Sequence, residues 1–393
     1  MKVDARVAIR FHRFQVTGFL LLAGPVLLGL WTVVFAEQPP ETTRAQIDSV
    51  GFATNATDFA NVLAACEELE GNAVRERRQA LGLTDGQPWV AAVVPHDDYL
   101  YAGRVYLHVL PGLRAKQWLL FGVCHACRRN GLRDRLIFDS AATWQVAGRQ
   151  LPVDRELRAE LLAGLSPAAA TVENERFAAE HSLEALLPWL QNEQPEARFV
   201  PILVPGMELP RLEELAGQLA EALAGICRNR GWTPGRDLGI LISADAVHYG
   251  CEGWGPGGGY AEFGCDAVGH AAARAQDITL AQATLAGRVT LSSLERFCEL
   301  VWNPGHPEYP EYPYRITWCG LYSIPFGLAT ALRLQTALGL PPLRGHLLRY
   351  GDSVSDGILP VESTRLGVTA PANLRHWVGY AALGYVPGNS RLD

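Results

Sequence analysis

Short apolar runs bounded by turn residues alternate along the chain with longer segments whose apolar positions recur at helical spacing. Residues 89–94, 118–121, 199–204, 238–242 and 347–350 read as strands, several of them apolar on both faces. The helical period predicts helices over about residues 58–81, 155–165, 183–190, 209–228, 262–285 and 324–338. Strands alternating with helices predict an α/β fold: one domain, with a mostly parallel or mixed central sheet flanked by helices. Two segments break the pattern. Residues 250–259 hold six glycines and predict a flexible loop. Reading Gly253, Gly255 and Gly258 as a dinucleotide fingerprint fails, because Pro256 interrupts the strand-to-helix turn such a site needs. The Pro- and Tyr-rich stretch 303–314 predicts a second loop, placed to act as a lid over a site near Cys319.

The first residues change the picture of where the protein acts. Lys2, Arg6, Arg10 and Arg13 precede an uncharged apolar stretch, 16–36, which is the layout of an export signal or of an uncleaved membrane anchor. Positive charge on its N-terminal side places the body outside the cytoplasm, periplasmic or membrane-anchored. Residues 37–47 are polar, contain Pro39-Pro40 and read as a linker, so the folded domain is expected over 48–393. The chain has 393 residues with 34 basic and 41 acidic side chains, and no basic stripe of the kind nucleic-acid binding requires. Hydrophobic residues make up 48%, ample for a large core and incompatible with disorder. The eight cysteines are scattered, unlike the dense framework of a small secreted scaffold. Cys124 and Cys127 form a C-x-x-C without the following His that covalent haem attachment uses, so a disulfide, two core thiols or a redox pair all remain open.

In an open α/β sheet, ligands bind beyond the carboxyl ends of the strands. Three predicted strands end in polar residues there: Pro95-His96-Asp97-Asp98, Gly122-Val123-Cys124-His125, and Ser243-Ala244-Asp245-Ala246-Val247-His248. One such histidine is ordinarily structural, whereas three in equivalent places point to a site. Glu180-His181-Ser182-Leu183-Glu184 is expected to open a helix, with both carboxylates in its first turn.

These residues resemble a known family. Pro95-His96-x-x-Tyr99-x-Tyr101-x-Gly103, Gly122-x-x-His125, Glu180-His181-Ser182-Leu183-Glu184 with Leu187-Pro188, Ser243-x-Asp245-x-x-His248-x-Gly250 and Cys319-Gly320 are similar, in order, to five segments of the Memo family. Its bacterial members are labelled component B of the AmmeMemoRadiSam system. The resemblance implies a fold akin to class III extradiol dioxygenases. It also implies metal ligation by His96, His125 and Cys319, with His181, Asp245 and His248 as supporting or acid/base groups. Two imidazoles and a thiolate suit iron or copper ahead of zinc. Ala126 stands where many members of that family have a second His, and Asp97-Asp98 stands where an Ala-Gly pair is usual. The expected function is that of an exported, redox-active metal-binding protein acting on an unidentified small molecule. The alternatives are a non-catalytic accessory protein, with radical-SAM and Ammecr-like partners of that system, or a metal-assisted hydrolase.

Overall fold

A computed structural model describes residues 42–127, 131–254, 260–309, 312–361 and 365–388. The apolar leader 16–36 lies outside the described residues, as do Gly255–Gly259 of the glycine-rich loop. No helix among the described residues is long and apolar enough to cross a membrane.

The chain opens with strand β1 (Thr43–Ala45) and helix α1 (Ala56–Ala80), followed by β2 (Ala91–Val94), α2 (Tyr99–Leu107) and β3 (Gln117–Val123). Next come β4 (Leu136–Phe138), β5 (Thr143–Val146), β6 (Arg149–Pro152), α3 (Arg155–Gly164), β7 (Ala170–Val172), α4 (Asn174–Phe177) and α5 (Leu187–Glu193). The second half carries β8 (Arg198–Val204), α6 (Leu209–Arg230), β9 (Leu238–Ser243), β10 (His248–Tyr249), α7 (Ala267–Thr284), β11 (Gly287–Arg288) and α8 (Leu291–Val301). Helix α9 (Ser323–Ala337) and strands β12 (Leu343–Asp352) and β13 (Trp377–Pro387) complete it.

The main sheet is mixed, ordered β11-β12-β13-β2-β9-β3-β8-β4-β7, with β10 on β13. Its middle four strands, β2, β9, β3 and β8, are parallel; β13 and β4 join them antiparallel on either side. Alternation along each central strand sorts side chains between two cores. Ala91, Val93, Leu119 and Phe121 pack with apolar residues of α3 and α6 to α9, while Ala92, Val94, Trp118 and Leu120 pack with those of α1, α2 and α5. Helices on both faces explain why these strands read as continuous apolar runs. Parallel strands also bring every carboxyl end in the middle of the sheet to one edge, and the site lies there.

Three expectations are corrected. The linker expected over 37–47 gives way, from Thr43, to an edge strand: β1 pairs with β5, and Arg44 forms an ion pair with Glu184 at 2.6 Å while its ring-facing guanidinium covers Trp144. The segment from Glu180 does not open an α-helix. It is a loop ending in a short 3-10 turn, Glu184–Leu186, and α5 starts at Leu187, because the Glu184 carboxylate accepts from the backbone N–H groups of Ile47 and Asp48. The stretch expected as a lid, 303–314, folds back on itself through the Asn303 N–H to Pro313 carbonyl bond, and its Tyr309 meets Arg133; none of its described residues lines the cleft below.

Candidate metal centre

The sheet order β2-β9-β3 sets three adjacent strand ends side by side, so His96, Asp245 and His125 converge at the floor of a cleft of about 310 Å³. His181 and His248 line the same cleft, joined by Asp97, Trp254, His376 and Tyr380.

Two glycines make the close approach possible. A Cβ on Gly122 would lie 2.7 Å from Leu183 Cγ and 3.0 Å from Ser182 Oγ, so only glycine lets the loop carrying His181 rest on β3. A Cβ on Gly320 would lie 2.3 Å from the Ala244 Cβ, so glycine lets the Cys319 turn press against the end of β9. Gly320→Ala is therefore expected to destabilise the fold by about 1–3 kcal/mol and to move the Cys319 sulfur away from Asp245. Chemical denaturation, with thiol reactivity as the local probe, checks this.

Hydrogen bonds fix the histidine tautomers. The Ser243 hydroxyl donates to the Ser182 carbonyl at 2.6 Å, which uses its one proton. The same oxygen, 2.8 Å from His96 Nδ1, must then accept, so Nδ1 carries the hydrogen and Nε2 the lone pair. That lone pair faces Asp245 Oδ2 at 3.3 Å and Cys319 Sγ at 3.6 Å. All three residues are buried. Burial, with the nearby His125 and His181, holds the His96 pKa well below its usual value, so the ring is neutral and ready to ligate.

His125 is oriented the same way. Its Nδ1 lies 2.9 Å from Glu180 Oε1, its backbone N–H donates to Oε2 at 2.8 Å, and the Ser182 N–H adds a third bond. Burial alone would raise the Glu180 pKa, but His125, His181 and these donors outweigh it and hold the carboxylate far below its ordinary range. An ionised Glu180 requires a proton on His125 Nδ1, again leaving Nε2 for a ligand. The His181 ring stacks 5.0 Å from that of His125, and each ring lies within 6 Å of His96, at 5.4 Å for His125 and 5.7 Å for His181.

Asp245 accepts the His96 backbone N–H at 2.9 Å, and its own N–H points at Cys319 Sγ at 3.0 Å. Burial and the neighbouring Asp97 push its pKa well up, so a proton or a cation is needed beside it. His248 Nε2 is 3.9 Å from Asp245 Oδ2, one step outside this contact.

Among the described residues, two groups of three side chains bring one donor atom each within 4.8 Å of one another: His96, His125 and His181, and His96, Asp245 and Cys319. The sequence-expected ligands are thus all at the site, with His96 common to both groups and His125 and Cys319 in different ones. The expected supporting residues divide: His181 and Asp245 supply converging donor atoms, while His248 stands behind Asp245. The donor types and the tautomers fit a transition metal.

The structure adds a residue the sequence reading missed. Asp277 of α7 is buried and accepts from Trp318 Nε1 at 2.6 Å, the Tyr350 hydroxyl at 2.8 Å and the Val247 N–H at 3.1 Å. Trp318 precedes Cys319 and Val247 precedes His248, so one carboxylate ties together the two segments that carry them. Burial raises its pKa to about 6.

Fold and site together define an α/β protein whose imidazole, carboxylate and thiol groups gather at the carboxyl edge of a parallel sheet core. The chain belongs to the Memo-like protein family, whose sequence model matches residues 68–292. It is 32% identical over 182 residues to a MEMO1 family protein of Methanosarcina barkeri, covering 46% of this chain and 58% of that protein. A MEMO1 family protein of Caldivirga maquilingensis is 24% identical over 180 residues, covering 45% and 56%. The chain spans less than two thirds of the length of these curated relatives. Among solved structures, an uncharacterized protein of Escherichia coli K12 aligns over 74% of this chain and 98% of its own, with a TM-score of 0.39 and 13% identity.

Proposed function

We propose that this chain is a metal-dependent oxidoreductase that works on a small molecule bound in the His96 cleft, with iron or copper as the resident ion. The observation that carries the proposal is the lone pair of His96 Nε2, aimed at a buried carboxyl group at 3.3 Å and a buried sulfur at 3.6 Å, so that three metal-ligating groups converge on one point. Iron or copper there would supply the electron exchange with oxygen or a reduced oxygen species that such an enzyme needs.

The chain's own residues do the rest. Ser243 and Glu180 hold the rings of His96 and His125 in the ligand-ready tautomer. The Asp245 carboxylate, disfavoured as an anion by burial, exchanges a proton with His248, whose ring is about one third exposed to the cleft. Trp254, stacked on His376 with ring centroids 4.0 Å apart and lying 5.2 Å from the His248 ring, walls the cleft.

Export is part of the proposal. The basic and apolar leader supports it, and so do the Cys124–Cys127 and Cys251–Cys265 disulfides, since such bonds persist in oxidising compartments. The functional test is His248→Ala. It should keep metal at saturating concentration yet slow the reaction with oxygen by about 10–100-fold, and flatten its pH dependence. Unchanged reactivity would remove His248 from the proton path.

A further inference from the structure

Both disulfides among the described residues lie in segments that line the cleft. Cys124–Cys127 brackets His125, and Cys251–Cys265 starts just ahead of Trp254, while Cys66, Cys227, Cys298 and Cys319 are free and buried. We propose that closing the Cys124–Cys127 bond is the step that sets His125 in place, so that the cleft is completed only once the chain reaches an oxidising compartment. The proposal rests on the export and metal-centre readings above and adds what makes the site competent, and where.

Strand β3 ends at Val123, and the two cysteines follow at once in a single turn, with the Cys127 N–H donating to the Cys124 carbonyl at 3.2 Å. Both cysteines are buried in the core shared with α1, α2 and α5, whereas the His125 side chain between them is 32% exposed. That turn has to present two atoms of His125 to one carboxylate: the ring Nδ1 lies 2.9 Å and the backbone N–H 2.8 Å from Glu180. Glu180 itself stands in a loop, so neither partner is held by a helix or a strand. A bond across the turn supplies the missing constraint, because it removes most of the conformations in which a four-residue loop would point His125 elsewhere. With the bond open, two buried thiols must each find room, the turn widens, and the His125 N–H is drawn off Glu180. The chemistry is an exchange. The two thiols give two protons and two electrons to the disulfide of an exported dithiol oxidant, whose S–S bond breaks into two thiols as the Cys124–Cys127 bond forms. In a reducing compartment the exchange runs backward, and this edge of the cleft stays incomplete.

Amide hydrogen exchange of the metal-free full-length protein tests this, read by mass spectrometry on peptides covering His125, with zinc(II) affinity as the second measurement. Four samples are compared: oxidised wild type, wild type reduced by a phosphine under nitrogen, Cys124→Ala/Cys127→Ala, and Cys251→Ala/Cys265→Ala as the control for losing a disulfide elsewhere. Exchange at His125 should be about 10–100-fold faster in the reduced protein and in Cys124→Ala/Cys127→Ala than in oxidised wild type. Zinc Kd should rise by about 10–100-fold in Cys124→Ala/Cys127→Ala. The control should keep exchange at His125 within about twofold of oxidised wild type. Should Cys124→Ala/Cys127→Ala not fold, the reduced wild type carries the exchange comparison alone. Exchange unchanged by reduction would overturn the proposal and make the bond a staple of the core, with the metal-centre reading untouched. Equally fast exchange in the control would overturn it too, as a general loss of stability. Exchange that responds to Cys124–Cys127 in a protein that binds zinc in no form would uphold the positioning of His125 and overturn the metal-centre reading instead.

Discussion

Replacing His96 with alanine should abolish metal binding while leaving the fold standing. The ring is the shared donor of both groups of converging side chains, so among the described residues no alternative set of three survives its removal. The loss should exceed the roughly 10–100-fold that follows from disturbing an outer partner of a ligand. The cost to stability is smaller than the burial of His96 suggests. Ser243 still donates to the Ser182 carbonyl, and the backbone N–H of residue 96 still donates to Asp245, so no buried donor is stranded. What remains is a side-chain cavity costing about 1–3 kcal/mol. Isothermal titration with iron or copper salts, alongside urea denaturation, checks both halves. Metal binding near the wild-type level in the folded variant would mean that His96 is a buried structural histidine.

Asp277→Ala should produce the opposite balance, with a large loss of stability and a secondary loss at the site. The substitution strands three donors at once: the Trp318 indole N–H, the Tyr350 hydroxyl and the Val247 N–H, in the buried neighbourhood of α7. Each unsatisfied buried group costs about 1–3 kcal/mol, so the expected total is about 3 kcal/mol or more. Freed of that tie, the segments bearing Cys319 and His248 lose register, and metal affinity should fall by about 10–100-fold. Asp277→Asn should lie between, because its amide can accept from some of the donors but faces another with an N–H of its own. The readouts are a denaturation midpoint, a metal Kd and, for a thiolate-ligating ion, the intensity of its sulfur band. Lost stability with an unchanged Kd and spectrum would make Asp277 a core residue with no bearing on the site.

The two residues show what a sequence can carry. His96, His125 and Asp245 were legible because apolar runs locate strand ends, and parallel strands deliver those ends to one edge. The motif glycines gain a physical reason only from the structure, as the points where the Leu183 and Ala244 side chains come closest to the backbone. Asp277 was illegible: an aspartate on an amphipathic helix reads as a solvated face, and only the packing of α7 against β12 and Trp318 turns it inward. Strand β13 escaped for a different reason. Between Val378 and Val386 its run of Gly, Tyr, Ala and Leu holds no β-branched residue, yet it supplies Tyr380, whose hydroxyl donates to Asp97 at 2.7 Å. Helix α2 was hidden by its start: Asp98, its N-cap, spends its carboxylate on Thr369 and not on capping. The division of the ligands into two groups around His96 depends on side-chain approach across loops far apart in sequence, which no local pattern encodes.

The most direct test of the metal centre is elemental analysis joined to electron paramagnetic resonance on the wild-type protein purified without oxygen. One iron or copper ion per chain is expected, with a signal that appears or changes on exposure to oxygen and is absent in His96→Ala. Protein that carries no metal and takes up neither ion when it is supplied, or that holds only zinc, would contradict that expectation.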